Sequence, residues 1–145
     1  MITVLMGAPA AGKSTWITKN STGYEYIFNT EAVRKNRDLD IAIFMDLARR
    51  RAINAAESGL DVIADGTHTI STHRKVWLNL GDRLDVERRL ILFDTPLEIL
   101  LRGNSIREYP APRNVVVDHY RRFNQARHIV KHEGWDSIEI VKRVR

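Results

Sequence analysis

Short apolar runs alternate along this chain with longer segments in which apolar residues recur at helical spacing. The apolar runs predict five strands, over residues 1–6, 24–28, 60–64, 89–93 and 137–142. The periodic segments between them predict helices over residues 13–20, 40–58, 71–80, 95–102 and 115–132. Strands that alternate with helices predict an α/β fold, an open parallel sheet of about five strands with helices on both faces.

Turn residues predict where several of these elements end. Gly59 and Gly81 are placed to end the second and third helices. Thr95 is expected to cap the fourth helix, because Pro96 follows it in the first turn. Residues 104–114 contain two prolines between arginines and are predicted to form a loop or short lid.

Length and composition narrow the class of protein. With 145 residues, 43% hydrophobic and 28% charged, the chain is expected to form one globular domain over residues 1–145. It has no cysteine, which excludes disulfides, zinc–thiolate sites and thiol nucleophiles. It has no apolar run of about 18 residues and no basic leader, so we expect a cytoplasmic protein without a membrane partner.

The net charge of +5 is unevenly distributed along the chain. Residues 1–101 hold 13 basic and 13 acidic side chains, whereas residues 102–145 hold 10 basic and 5 acidic ones. Of the 23 basic residues 17 are arginine, the side chain whose planar fork matches phosphate. A solvated basic helix and a surface for a phosphate-rich partner both fit this pattern, and charge alone does not decide between them.

Residues 7–14 (GAPAAGKS) match the phosphate-loop pattern G-x-x-x-x-G-K-[ST] and lie between the first strand and the first helix. In such a loop the backbone N–H groups cradle phosphate oxygens at the positive end of the helix. The lysine reaches the β- and γ-phosphates, and the following hydroxyl binds Mg²⁺. We therefore expect ATP or another nucleoside triphosphate to contact Gly7, Ala10, Ala11, Gly12, Lys13, Ser14 and Thr15.

A second acidic position comes at the end of the third predicted strand. Ligands of open parallel sheets bind beyond the carboxyl ends of the strands, where Asp65 would meet the phosphates. Its carboxylate and the Ser14 hydroxyl are suitable ligands for Mg²⁺. The alternative is an ordinary aspartate in a turn that caps a helix.

A phosphate loop specifies a nucleotide and not a reaction. The chain has no N-K-x-D segment, which argues against a GTPase. Around the loop the sequence resembles the polynucleotide 5′-hydroxyl kinase domain of phage and bacterial end-healing enzymes. The resemblance covers nearly the whole chain in order: residues 7–16 (GAPAAGKSTW), 29–34 (NTEAVR), 65–68 (DGTH) with Arg74, 104–107 (NSIR), Pro112, 115–117, 120–123 and 133–136 (EGWD).

This resemblance implies a P-loop kinase fold and ATP-dependent phosphorylation of the 5′-hydroxyl ends of DNA or RNA. It implies that Glu31 is the general base, that Arg34 and Arg74 bind the substrate, and that Arg107 on the lid contacts the ATP phosphates. Two residues depart from the family. Glu31 stands where the family usually has aspartate, and His68 stands where it usually has asparagine. We interpret His68 as a turn residue bonded to backbone.

The residue types also supply the parts that phosphoryl transfer needs, independently of the resemblance. Lys13, Ser14, Asp65, Glu31 and Arg107 provide a cradle, a metal site, a base and a mobile arginine. Two alternatives stay open: a P-loop kinase of a sugar, sugar acid or antibiotic, and a non-catalytic, nucleotide-regulated nucleic-acid-binding module. Arg113, Arg121 and Arg122 are weaker candidates for the nucleic-acid partner. No phosphatase or ligase domain is expected.

Overall fold

The computed structural model describes residues 1–29 and 40–143, and its strands form one sheet. The strands are β1 (Ile2–Met6), β2 (Tyr26–Phe28), β3 (Val62–Ala64), β4 (Arg88–Asp94) and β5 (Ser137–Lys142). They lie in the order β2-β3-β1-β4-β5, and every neighbouring pair is parallel. Their carboxyl ends therefore share one edge of the sheet, where the connecting loops meet.

Helices cover both faces of this sheet. They are α1 (Lys13–Asn20), α2 (Ile41–Glu57), α3 (Ser71–Leu84), α4 (Leu97–Ser105) and α5 (Arg113–Ala126), followed by a 3₁₀ turn at Val130–His132. One core cluster joins the sheet to α2, α3 and α5 through Ala52, Trp77 and Phe123. The other packs Trp16 of α1 and Leu100 of α4 against the opposite face. This arrangement confirms the predicted α/β fold.

The central position of β1 in the sheet explains why four of its five residues are apolar. All five of its residues are buried, since β3 and β4 flank it and helices cover both of its faces. A central strand of this kind fixes the position of the loop that follows it.

None of the helices among the described residues is long and apolar enough to cross a membrane.

Three strands are shorter than their sequence predicted, and the first of them begins at Ile2 instead of residue 1. The second begins at Tyr26, because Tyr24 is 85% exposed and Glu25 folds back on the preceding turn. The Glu25 carboxylate accepts hydrogen bonds from Ser21 Oγ and from the backbone N–H of Thr22, at 2.9 and 3.0 Å. These bonds lower the pKa of Glu25 to about 2, chiefly through the Thr22 backbone. The third strand begins at residue 62 instead of residue 60.

The prediction that Gly81 ends the third helix is wrong. The helix continues to Leu84, and Asp85 follows it in the left-handed conformation with φ of 52°. Gly81 lies inside the helix, and the aliphatic part of Arg88 packs where a side chain at this position would be. By contrast, Gly59 ends α2 as predicted, with φ of 90°.

The predicted cap of the fourth helix is also wrong. Pro96 occupies the N-cap position of α4, and no side chain caps it. Thr95 is buried, and its hydroxyl donates instead to the carbonyl oxygen of Ala11, 3.0 Å away. The helix α4 extends to Ser105, so the predicted lid loses its first two residues to this helix.

The last predicted helix, residues 115–132, divides into two parts. The helix α5 begins directly after Pro112, whose fixed φ suits a helix start, and ends at Ala126. A separate 3₁₀ turn follows and buries Val130, which is 1% exposed. The loop between α4 and α5 is therefore shorter at both ends than the sequence predicted.

Candidate active site around the phosphate loop

The phosphate loop leaves the buried end of β1 and enters α1 at the carboxyl edge of the sheet. Two of its residues, Ala10 and Gly12, have left-handed φ angles of 69° and 107°. Left-handed residues turn successive backbone N–H groups towards one concave side, which then attracts anions. Gly7 is required at the start of the loop, since a Cβ there would lie 2.9 Å from Cβ of Phe93.

Lys13 lies over its own loop. Its Nζ donates hydrogen bonds to the carbonyl oxygens of Gly7 and Ala8, at 2.7 and 2.8 Å. These bonds keep the ammonium group beside the loop backbone and at the positive end of α1. This is the place where a bound polyphosphate would carry its negative charge.

Residues that follow the neighbouring strands hold the phosphate loop from both sides. On the β3 side the backbone N–H of Gly7 donates to the carbonyl of Thr67, at 2.9 Å. On the β4 and β5 side Thr95 binds the carbonyl of Ala11, and Arg143 Nη1 donates to the carbonyl of Ala10, at 3.2 Å. These three hydrogen bonds are made within the protein itself. They therefore hold the backbone of the phosphate loop in place before any phosphate binds.

A cavity of about 390 Å³ opens above the loop. It brings together four predicted functional side chains, Lys13, Ser14, Asp65 and Arg107, and the predicted loop residues Ala10, Ala11, Gly12 and Thr15, whereas the predicted Gly7 does not line it. Its full lining consists of residues 9–15, 65–67, Gly103, Ile106, Arg107 and Arg143. The loop after β3 and the end of α4 thus meet the phosphate loop, as the sequence-based hypothesis requires.

The residues present fit a magnesium ion. Ser14 presents a hydroxyl in the first turn of α1, Asp65 presents a carboxylate directly after β3, and both line the cavity. Among residues 1–29 and 40–143, no group of three or more His, Asp or Glu side chains is arranged to hold a metal. Mg²⁺ suits such a sparse site, because it commonly takes one or two protein oxygens together with substrate phosphates and water.

The loop that carries Arg107 is closed at its base by Asn104. The amide of this buried residue donates to the carbonyl of Ala111 and accepts from the Ala111 N–H, at 2.7 and 3.0 Å. These two hydrogen bonds tie the ends of the short loop together, and Arg107 within it lines the cavity. This arrangement suits the predicted lid.

The structure does not bring Arg74 to the cavity. Its side chain is 2% exposed, and its guanidinium forms two hydrogen bonds with the Glu133 carboxylate, at 2.9 and 2.7 Å. A third bond reaches the carbonyl of His68, at 3.0 Å. These hydrogen bonds hold the Arg74 side chain in the protein interior. The predicted contact between Arg74 and substrate therefore stays a prediction, and this geometry does not support it.

His68 is a buried turn residue bonded to backbone, in agreement with the interpretation made from the sequence. Its Nδ1 lies 2.8 Å from the carbonyl oxygen of Leu5, and its Nε2 accepts from Trp77 Nε1, at 3.0 Å. A carbonyl only accepts, so the proton is on Nδ1. Burial lowers the pKa of His68 to about 4, which keeps the ring neutral.

Two predicted residues, Glu31 and Arg34, lie outside the residues that the structure describes. Their roles as general base and substrate contact therefore stay predictions. The segment begins just after Asn29, which follows β2 at the carboxyl edge of the sheet.

Two features of this edge were not predicted from the sequence. Arg143 lines the cavity, although it comes from the far end of the chain. The carboxyl-edge rule offered a signal, because Arg143 directly follows the last strand. The second feature is a 2.7 Å hydrogen bond between Thr69 Oγ1 and His119 Nδ1, which joins the loop after β3 to α5. No local pattern predicts this pairing across 50 residues.

Comparisons with known proteins agree with this geometry. The family described as AAA domain matches residues 2–128. A curated relative, the L-seryl-tRNA(Sec) kinase of Methanococcus maripaludis, is 27% identical over 143 residues, which cover 86% of this chain and 52% of the relative. The chain thus spans about half the length of that relative.

Solved structures share the fold. A chain of the AvrRxo1-ORF1:ORF2 complex superposes with a TM-score of 0.72 at 19% identity, over 92% of this chain and 50% of the other. The deoxyadenosine kinase from M. mycoides, solved with bound dATP, gives a TM-score of 0.61 at 16% identity, over 97% and 90% of the two chains.

The sheet order, the phosphate loop and these neighbours define an α/β domain with a P-loop kinase-like fold, as predicted. By sequence the chain belongs to the AAA-domain family.

Proposed function

We propose that this protein transfers the γ-phosphoryl group of ATP, with Mg²⁺, to the 5′-hydroxyl end of DNA or RNA. The observation that carries the proposal is the cavity that holds Lys13, Ser14, Asp65 and Arg107 together above the phosphate loop. Phosphoryl transfer depends mainly on positioning and on stabilising charge, and these residues supply both. The resemblance of the sequence to polynucleotide kinase domains supports the choice of acceptor.

Each side chain has a definite task in this reaction. The loop N–H groups and Lys13 bind the β- and γ-phosphates, and Arg107 stabilises the charge on the transferred group from the lid. Ser14 and Asp65 would hold Mg²⁺, which neutralises charge on the donor oxygens when bound. Glu31 accepts the proton of the attacking hydroxyl, and Arg34 holds a phosphate of the acceptor strand.

The role of Glu31 has its own test. Glu31→Gln keeps the size of the side chain but cannot accept the proton, so we expect turnover to fall at least about tenfold at saturating substrate. Binding of ATP should be unchanged, because Glu31 serves the acceptor. A variant that retains more than about a tenth of wild-type turnover, with chemistry rate-limiting, would exclude Glu31 as the base.

A second candidate function is transfer to a different hydroxyl. The relative named L-seryl-tRNA(Sec) kinase supports an acceptor carried on RNA, and the fold shared with a deoxyadenosine kinase supports a nucleoside or another small molecule. The phosphate loop and cavity serve these acceptors equally well. The acceptor must therefore be identified by assay.

One assay separates the candidates. ATP labelled in the γ-phosphate is offered with 5′-hydroxyl DNA and RNA oligonucleotides, seryl-tRNA, deoxyadenosine and a panel of sugars. We expect label in the oligonucleotides and none when the same oligonucleotides already carry a 5′-phosphate. Lys13→Ala is the catalytic control. Preferential labelling of seryl-tRNA, deoxyadenosine or a sugar would replace the proposed acceptor, and ATP-dependent RNA binding without transfer would favour a non-catalytic module.

A further inference from the structure

The strand β5 forms an open edge of the sheet. Among the described residues it pairs with β4 alone, and the register runs without a bulge over all six residues, Ser137–Lys142. Five of these six residues are exposed. Proteins commonly protect such an edge with a proline, a bulge or a covering segment, because its free backbone groups can pair with another strand. The β5 edge has none of these protections within residues 1–29 and 40–143.

The hydrogen-bond ladder shows which backbone groups of β5 face outwards. The backbone N–H of Arg143, directly after β5, donates to the carbonyl of Asp94 on β4, at 3.2 Å. Successive residues of a strand point their backbone groups to opposite sides, so the odd-numbered residues of β5 bond to β4. The even-numbered Ile138, Ile140 and Lys142 therefore present their N–H and C=O groups to the open edge. None of these groups bonds to another part of the chain that the structure describes.

Two of these residues also carry an apolar strip. Ile138 and Ile140 lie in register with Leu90 and Leu92 of β4, whose side chains belong to the core cluster of α2, α3 and α5. Residues in register point to the same face of a sheet, so the isoleucines continue this core face to the edge. They are nevertheless 36% and 50% exposed. A further strand at this edge would bury them and satisfy the backbone groups at the same time.

A second copy of β5 matches this edge in hydrogen bonding and in charge. A two-fold axis perpendicular to the sheet sets the two strands antiparallel, with Ile140 opposite Ile140 of the second copy. The outward backbone groups of the two Ile140 residues then bond to each other, and those of Ile138 bond to Lys142 of the second copy. Lys142 also lies diagonally across from Asp136 of the second copy, about 7–8 Å away and within reach of a long side chain. Opposite charges therefore meet at both ends of the paired strands.

The charges of β5 also favour this register over the neighbouring one. If the axis passed through Glu139, two glutamates would lie directly opposite each other, which destabilises a strand pair. The other edge of the sheet is a poorer partner, because β2 has only three residues and Phe28 among them is buried. The pairing of β5 with its own copy thus uses the longer and more exposed edge.

We infer that two copies of this chain pair along β5 and form one continuous ten-stranded sheet, with Ile140 on the two-fold axis. The same surface is used by both copies, so the contact closes at a dimer. The carboxyl edges of the two halves face opposite directions, because the two β5 strands are antiparallel. Each copy therefore keeps a cavity of its own. This inference goes beyond the proposed function and does not depend on it.

Sedimentation velocity over a concentration series tests the dimer. We expect the mass of two chains for the wild type and at least about tenfold weaker association for Ile140→Pro, because each copy loses an outward backbone hydrogen bond. Proline is tolerated on an edge strand where its N–H would face solvent, so the ladder with β4 is kept. Ile140→Lys should also weaken the dimer, since it places two like charges on the axis.

Ile43→Lys is the matched control, because this isoleucine is 60% exposed on α2 and its replacement adds the same charge. It should associate like the wild type. A wild type that stays monomeric at every concentration would overturn the inference. A dimer that is unaffected by Ile140→Lys would show that another face is used. If Ile140→Pro does not fold, Ile140→Lys still decides.

A single cysteine tests the position of the axis, since the chain has no cysteine of its own. Directly opposite residues of a hydrogen-bonded pair lie about 5.5 Å apart at Cα, which a disulfide can span. Ile140→Cys treated with diamide should therefore form a covalent dimer. Ile138→Cys is the control on the same strand and face, because its two copies would lie about 14 Å apart along the strands. Equal cross-linking of both variants, or of neither, would overturn the pairing centred on Ile140.

Discussion

At the scale of single residues, the phosphate site depends on two opposite charges. Lys13 lies beside the loop carbonyls, and Asp65 lines the same cavity after β3. In the proposed reaction both would lie where the γ-phosphoryl group changes its charge distribution during transfer. We expect Lys13→Ala and Asp65→Ala each to lower the rate of labelled-phosphate transfer at least about tenfold. Both variants should keep the wild-type thermal unfolding transition. Near-normal turnover by a folded variant would remove that residue from the site.

His68 makes stability depend on pH. Its pKa is lowered to about 4 in the folded protein, below its ordinary value of 6.5, so protonation favours the unfolded chain. The stability due to this neutral ring is fully present above pH 6.5 and is lost as the pH falls towards 4. Between pH 7 and 4.5 we expect the wild type to lose about 2 kcal/mol more unfolding free energy than His68→Gln. Urea unfolding at both pH values measures this difference.

Comparing the unfolding free energies of the wild type and His68→Gln isolates the contribution of His68 from those of the other titrating groups. Other groups with lowered pKa values, such as His119 and Glu133, titrate in both proteins and cancel in the difference. Parallel pH profiles for the two proteins would mean that His68 accepts its proton without opening the fold.

At the scale of elements, Arg74 connects α3 to the chain segment that precedes β5. Its pairing with Glu133 joins residues 59 positions apart, and desolvation of the Glu133 carboxylate is more than offset by these bonds, so that its pKa is lowered. We expect Arg74→Ala to lower the unfolding free energy by about 2–3 kcal/mol, because it leaves the carboxylate without its partner. Chemical denaturation measures the loss. Normal stability combined with impaired acceptor use would instead restore Arg74 to the substrate site.

Periodicity and short motifs were sufficient to predict the five strands, the five helices of the described residues and eight residues of the cavity. The errors lie where tertiary contacts override local preference. Thr95 would cap a helix in isolation, but the loop carbonyl of Ala11 is a buried acceptor that needs it. Gly81 is present inside a helix for a different reason, since Arg88 packs where its side chain would be. Such partners are distant in sequence, and no local pattern specifies them.

At the scale of the whole molecule, the excess positive charge of residues 102–145 lies partly on α5. His119 lies on this helix: burial is the main cause that lowers its pKa to about 4, and the charges of Arg122 and Lys13 lower it further. Both the basic surface of α5 and the phosphate loop therefore lie close to this residue. We propose on this ground that α5 meets a phosphate-rich partner.

Salt dependence tests this role of α5. Arg121 and Arg122 are exposed on the helix, and each phosphate contact to a single strand contributes about 0.7 to the slope of log affinity against log salt. We expect Arg121→Gln/Arg122→Gln to weaken oligonucleotide binding at low salt and to reduce the slope by up to about 1.4. Fluorescence anisotropy of a labelled 5′-hydroxyl oligonucleotide across a salt series measures both. Binding of ADP should change little, because its phosphates are held by the loop.

The matched control removes the same charge from the opposite edge of the sheet. Lys19 and Arg83 are exposed near the C-termini of α1 and α3, which begin at the carboxyl edge and run away from it. Lys19→Gln/Arg83→Gln should keep the wild-type slope if the contacts are local to α5. Equal reductions in both double variants would show that oligonucleotides respond only to net charge. An unchanged slope in Arg121→Gln/Arg122→Gln would mean that the acceptor strand follows another path across the carboxyl edge.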